Sequence, residues 1–187
     1  ELASLGAKVL QTRSVEVAMK NNVALQVLSS FEDAIGSDLP GTIVVREEDI
    51  METKVVSGVA YQRDEAKVTL LNVPDVPGVA SKIFQPLSDA AVNVDMIVQN
   101  ISPDDERTDM TFTVSKKDLP KALDAIKKIK GMDGFEVRSA EDLAKISVVG
   151  VGMITNHGIA SKMFKTLADK NINIEVIATS EIKISVL

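Results

Sequence analysis

The chain has no cysteine and no tryptophan, one tyrosine, one histidine, and aromatic residues at only 3% of its 187 positions. Without cysteine there is no disulfide and no thiolate metal site. A single imidazole, His157, leaves no partner for an arrangement that needs a second one. No apolar run approaches the roughly 20 residues of a membrane helix, and no basic segment followed by an apolar one opens the chain, so neither a membrane partner nor an export signal is expected. A reducing cytoplasm fits the lack of cysteine. Positive charge is also short: 21 basic residues face 27 acidic ones, a net charge of −6 whose field repels phosphate backbones. Nucleic acid is therefore not expected as a partner.

Phosphate and metal motifs are missing as well. Neither G-x-x-x-x-G-K-[ST] nor H-E-x-x-H occurs, and Gly150-Val151-Gly152 fails as a dinucleotide loop because Thr155 stands where the third glycine is needed. No catalytic residue, metal site or cofactor is expected in this chain. The first residue is Glu1 rather than methionine, and Leu2, Leu5, Val9 and Leu10 at once set a helical spacing, as in a piece of something longer.

What is present is ordinary globular material, 45% hydrophobic and 26% charged. With few aromatics, the cores must be Val, Ile, Leu, Ala and Met. The spacing predicts a helix from Ser4 to Met19 ended by Asn21-Asn22, weakened at Gly6 and at Thr12 to Ser14. Strands are expected at Val23 to Leu28 and Thr42 to Arg46, with a loop from Glu32 to Gly41 and a charged connector from Glu47 to Lys54. Two further strands, Val55 to Gln62 and Lys67 to Val73, are expected around a polar turn at Arg63-Asp64-Glu65.

A βαββαβ pattern then runs to Arg138. Its parts are a Pro-Gly loop ending at Gly78, a helix interrupted by Pro86, strands at Asn93 to Gln99 and Asp109 to Ser115, a helix capped by Asp118, and a strand at Phe135 to Arg138. Pro86 is expected to kink or shorten its helix. From Lys145 the pattern restarts, with strand Ile146 to Val151, loop Gly152 to His157, helix Gly158 to Lys170, strand Ile172 to Ala178 and an incomplete strand Glu181 to Leu187. Aligned on Gly78 and Gly158, Ala80/Ala160, Ser81/Ser161, Lys82/Lys162, Phe84/Phe164, Leu87/Leu167, Asp89/Asp169 and Asn93/Asn173 are identical. The chain repeats one structural unit, and the second copy stops before its second helix.

The repeated loop-Gly-helix suits a small anion, because a helix N-terminus offers unpaired backbone N–H groups and partial positive charge. Taken singly it is only a tight turn into a helix. Its duplication favours a binding role. Asp95 and Glu175, at matching positions after each helix, can hold an ammonium by charge-assisted hydrogen bonds, or simply keep a strand face soluble. His157 fits loop or capping duty. Lys127-Lys128 and Lys130 form a solvated helix face, and each repeated Ser-Lys pair diverges because helix neighbours do not face one another.

Two βαββαβ units with this loop resemble ACT domains, amino-acid-sensing modules of metabolic enzymes. The runs Asn72 to Ala80, Asn93 to Asn100, Asn171 to Ile177 and Thr179 to Val186 resemble the regulatory region of bacterial aspartate kinase. Gly6 to Leu10, Ser14 to Glu16 and Val27 to Phe31 are similar to the tail of that family's amino-acid kinase domain. The resemblance implies an α+β chain with two ferredoxin-like ACT domains. Residues 1–50 would be the kinase tail and linker, 63–138 the first ACT domain, and 51–62 plus 139–187 the second.

It further implies feedback control by lysine, threonine or both. The effector would lie against Asp75, Gly78, Val79, Ala80, Asp95, Gln99 and Asn100, with Asn156, Ile159, Asn173, Glu175 and Ser180 from a facing second unit. A homodimer through the ACT domains, or a hetero-oligomer with a kinase subunit, is implied too. ATP and Mg would serve the whole enzyme in phosphorylating L-aspartate. The family's nucleotide loop is not in this chain, which should be inactive alone. The alternative is a module that only assembles the kinase and senses nothing.

Overall fold

The computed structural model describes residues 2–7, 9–31, 41–45, 55–101, 106–130 and 134–187. Most of the loop expected from Glu32 to Gly41, the connector expected from Glu47 to Lys54, and most of the polar run Ser102 to Arg107, which reads as a hairpin-like loop, lie outside the described residues. The chain divides into two compact units: Glu1–Tyr61 with Ser147–Asn171 and Thr179–Ile184, and Gln62–Ile146 with Ile172–Ala178 and Ser185–Leu187.

In the unit built around Gln62–Ile146, the elements follow as most of the long strand β3 (Gly58–Pro74), helix α2 (Val79–Asp89), strands β4 (Val94–Ile101) and β5 (Arg107–Val114), helix α3 (Leu119–Lys127) and most of strand β6 (Glu136–Val149). The hydrogen-bonded order β4-β5-β3-β6 places the first and third strands of the βαββαβ unit in the centre, which is the ferredoxin-like arrangement. β5 runs antiparallel to both neighbours, with Val68 opposite Phe112 and Ile97 opposite Phe112.

Strand alternation builds the core. Ala66, Val68 and Leu70 of β3 and Met110, Phe112 and Val114 of β5 turn to one face, where Val79, Ile83 and Leu87 of α2 and Leu119, Ala122 and Ile126 of α3 cover them. Phe84 meets Phe112 edge to face with ring centroids 5.4 Å apart. The intervening residues, among them Glu65, Lys67, Thr69, Thr111 and Thr113, form a polar opposite face on which Thr69 and Thr111 hydroxyls lie 3.1 Å apart.

Several sequence expectations are corrected here. Arg63-Asp64-Glu65 is not a turn: β3 runs unbroken through it, because Glu65 is buried and ion-paired within the unit. The strands expected at Phe135 to Arg138 and Ile146 to Val151 are one strand, β6. Asp118 stands at the helix start, but its carboxylate accepts from the Ser115 hydroxyl at 2.7 Å and caps no helix amide. Regular strand geometry begins only at Ile177 rather than at Ile172. Ahead of it, the Glu175 N–H donates to the Leu187 carbonyl at 2.7 Å. Pro86 lies inside an unbroken α2.

A bulge between Leu70 and Val73 centres on Asn72, whose φ of 62° is in the left-handed region. Asparagine is suited to it, and the site is tied down: the Asn72 N–H donates to Asp109 at 2.9 Å and its amide to the Gly134 carbonyl at 3.0 Å. Ala91, just past α2, has a φ of 54°, and its repeat counterpart Asn171 has 56°. Alanine carries a Cβ penalty there that glycine does not. Ala91→Gly is expected to stabilise the chain by about 1 kcal/mol, read as a raised urea midpoint at unchanged slope.

The other unit holds α1 (Thr12–Lys20), the short antiparallel pair β1 (Leu25–Val27) and β2 (Thr42–Val44), α4 (Ile159–Ala168), and half each of β7 (Ile177–Ser180) and β8 (Lys183–Val186). The single helix expected from Ser4 to Met19 is instead a π-helical turn, Ala3–Ala7, followed by α1. Gly6, inside that turn, leaves helical geometry at φ 114°. Leu2 and Leu5 pack with Ala60 and Val149.

Candidate functional site

Both repeated loops deliver the geometry their glycines allow. Gly78 and Gly158 precede α2 and α4 with φ of 91° and 87°, and a Cβ built on either meets nothing within 4 Å. The first helical bonds run from Lys82 N–H to the Gly78 carbonyl at 3.1 Å and from Lys162 N–H to the Gly158 carbonyl at 2.9 Å. Amides ahead of those bonds have no intrahelical acceptor. The Val79 N–H is taken by the Val76 carbonyl of its own loop at 3.1 Å, and the others leave each helix opening on donors and positive dipole beside unfilled space.

The remaining expected residues are placed as follows. Asp75 is exposed, its N–H donating to the Glu106 carbonyl at 2.9 Å, while Val79 is buried under the helix start and Ala80 is exposed. β4 carries Asp95, Gln99 and Asn100, all exposed, and the Asn100 carbonyl accepts from the Thr108 hydroxyl at 2.6 Å. Asn173 and Glu175 are exposed in the same unit as these. Asn156, Ile159 and Ser180 belong to the other unit. There Asn156 closes its own loop, its amide donating to the Gly152 carbonyl at 2.8 Å, and Ile159 is half-buried at the start of α4.

Neither candidate carboxylate stands alone. Glu175 is paired with Lys67, and Asp95 with Lys145. Lys145 also donates to Glu65 Oε1 at 2.7 Å, and the Lys145 and Glu65 side chains are only 4% and 3% exposed against 51% for Asp95. Two carboxylates thus converge on one ammonium. Glu65 Oε2, buried, has no hydrogen-bond partner among the described residues. Burial pushes the Lys145 ammonium down, but its hydrogen bonds to Asp95 and Glu65 push it up by more, so its pKa stands above the ordinary 10.5.

A raised lysine pKa means that the folded chain holds this proton more tightly than the unfolded one. The stabilisation is complete below pH 10.5 and fades as pH rises through the folded value. Urea midpoints measured from pH 8 upward are expected to be flat to about pH 10 and to fall beyond it, more steeply than in a Glu65→Gln/Lys145→Met chain, which lacks the group.

Reading the sequence missed Glu65, Lys67 and Lys145. One signal was available: Glu65 and Lys145 are separated by 80 residues, the repeat spacing itself, so the duplication places opposite charges at equivalent positions. No group of three or more potential metal ligands occurs among the described residues, His157 included.

A ferredoxin-like βαββαβ unit entered through a left-handed glycine, followed by a second copy of that entry, defines an ACT-domain protein. ACT domain models match residues 67–131 and 146–187. Over its whole length the chain is 51% identical to an aspartate kinase of Stutzerimonas stutzeri, covering 44% of that protein. The solved regulatory subunit of aspartate kinase from Thermus thermophilus, in ligand-free form, is 43% identical with a TM-score of 0.66, over 71% of this chain and 87% of that one. Aspartate kinase from Synechocystis is 44% identical with a TM-score of 0.68, over 99% of this chain and 33% of that one. The chain belongs to the aspartate kinase family and corresponds to its ACT-domain regulatory part. It spans less than half the length of the curated relatives it matches, 44% for the Stutzerimonas protein.

Proposed function

We propose that the chain is the feedback sensor of an aspartate kinase, binding lysine, threonine or both at the glycine-led helix starts and so disfavouring phosphorylation of L-aspartate by ATP and Mg in the whole enzyme. The observation that carries this reading is the pair of helix N-termini opening beside left-handed Gly78 and Gly158 with free space in front of them. The effector carboxylate would take the amides at Gly78 and Ala80, beside Val79, whose own N–H is held by the Val76 carbonyl. Its amine would take Asp95 or Glu175, with Asp75, Gln99, Asn100, Asn156, Ile159, Asn173 and Ser180 shaping the rest. The two ACT domains would comprise 63–138, and 51–62 with 139–187, after a kinase-domain tail in residues 1–50. Pairing of copies, or of this chain with a kinase subunit in the cytoplasm, would transmit the signal.

The coupling needed is modest, about 1–3 kcal/mol in allosteric systems generally. Calorimetry with L-lysine and L-threonine, singly and together, should give saturable heats, and thermal melts should rise with ligand. Asp95→Asn should weaken binding about tenfold or more, the loss of one charge-assisted hydrogen bond. Absence of both heat and stabilisation with either amino acid would leave only an assembly role.

A further inference from the structure

The Asp95 carboxylate sits in an unbalanced charge cluster. Glu65 and Asp95 together bring two negative charges to the single Lys145 ammonium, within one unit of the chain. Lys145 and Glu65 are inside the fold and Asp95 is half exposed, so only Asp95 can reach a ligand. Buried polar atoms are ordinarily paired, yet Glu65 Oε2 lacks a donor among the described residues while Lys145 stands 2.7 Å from its sister oxygen. An ammonium has three N–H donors in rotatable positions, so one of them can serve Oε2 with only a small shift of the lysine tip.

From this we infer that Lys145 and Glu65 act as an internal counter-ion pair that controls access to Asp95. A ligand ammonium binds Asp95 by displacing the Lys145 ammonium fully onto Glu65. The inference rests on the reading of Asp95 as an amine acceptor. The hydrogen-bond count favours the exchange. The Lys145–Asp95 bond is given up, a Lys145–Glu65 Oε2 bond fills the orphan acceptor, and Asp95 gains the ligand. The cluster goes from one net negative charge to neutrality, because a second cation joins two carboxylates and one lysine. Lys145 is then a positioning residue and a competitor, which tunes affinity for ammonium-bearing ligands without touching them. Ligand-free Asp95 is meanwhile held in place rather than left free on the surface.

The test uses the 187-residue chain and three variants. Glu65→Gln/Lys145→Met removes the competing ammonium and its buried partner together, leaving the cluster with the same net charge and no unpaired buried ion. Calorimetry with L-threonine and L-lysine is expected to show binding at least fivefold tighter in this variant. The threonine analogue carrying a hydroxyl in place of the α-amino group should gain nothing. Glu65→Gln alone, which withdraws the fallback acceptor charge but keeps Lys145 on Asp95, should bind the amino acids at least fivefold more weakly. Unchanged or weaker binding by the double variant, with Asp95→Asn still crippling, would overturn the exchange and leave Lys145 as a fixed support. A gain shared by the amine-free analogue would overturn it also. If Asp95→Asn binds normally, or if no amino acid binds the unmodified chain, the amine-acceptor reading fails first and takes this inference with it. A double variant that has lost its structure would be recognised by circular dichroism. In that case Lys145 15Nζ resonances, recorded on the unmodified chain during a threonine titration, decide the matter: a shift that saturates with the ligand supports displacement, and no shift overturns it.

Discussion

Replacing Lys145 by methionine is expected to destabilise the chain by about 3–5 kcal/mol, because the substitution leaves Glu65 as an unpaired charge in the fold. The size of the effect comes from asymmetry. While paired, the Lys145–Glu65 bridge contributes little, since attraction at 2.7 Å is largely offset by the desolvation of two groups that are only 4% and 3% exposed. Broken on one side, the desolvation cost remains without its compensation. Glu65→Gln/Lys145→Met should therefore recover most of the loss and lie within about 1–2 kcal/mol of the unmodified chain, since replacing a whole buried pair is often neutral. Urea denaturation of the two single variants and the double variant checks this. Equal destabilisation by the single and the double change would show that the methylene stem of Lys145, and not its charge, is what the fold uses.

Phe112→Ala is expected to cost about 3–5 kcal/mol, the range for deleting a buried aromatic side chain. Phe112 has 0% exposure at the middle of the central strand β5 and is covered by the edge-on ring of Phe84. Removal empties a site bounded by two helices and three strands, so little of the surrounding structure can collapse into it. The lost ring contact adds to the cavity term. A urea midpoint lowered with unchanged slope would bear this out. A Phe84→Ala chain should lose less, since Phe84 is only partly buried against the same cluster. A Phe112→Ala loss below about 1 kcal/mol would mean that the core repacks freely, contrary to the interdigitation of its side chains.

Much of this molecule was legible in the residues. The alternation of Val68, Leu70, Met110, Phe112 and Val114 and the helical spacing of Val79, Ile83 and Leu87 or Ala122 and Ile126 were enough for the order of strands and helices between Lys67 and Arg138. The left-handed glycines at 78 and 158 were legible because loop and helix recur at one spacing. Places where reading failed share one cause. Arg63-Asp64-Glu65 reads as a turn because three charged residues in a row are rarely strand interior. It becomes strand only when Lys145, far along the chain, supplies the opposite charge inside the fold. Likewise 139–145 reads as a break because Ala140, Glu141 and Asp142 show no apolar alternation, yet β6 continues through it by pairing with neighbours.

The sequence by itself determined the duplication, the α+β class, the family and the two glycine-led helix starts, since these depend on local spacing and on backbone freedom that no partner can alter. Only the tertiary structure decided that Asp95 and Glu175 carry lysines of the same chain, that Glu65 is inside and one of its oxygens unpartnered, and that short strands join into long ones. The physical reason is that a charge declares whether it is surface or interior only through what lies opposite it. For Lys145 those neighbours are 50 and 80 residues away.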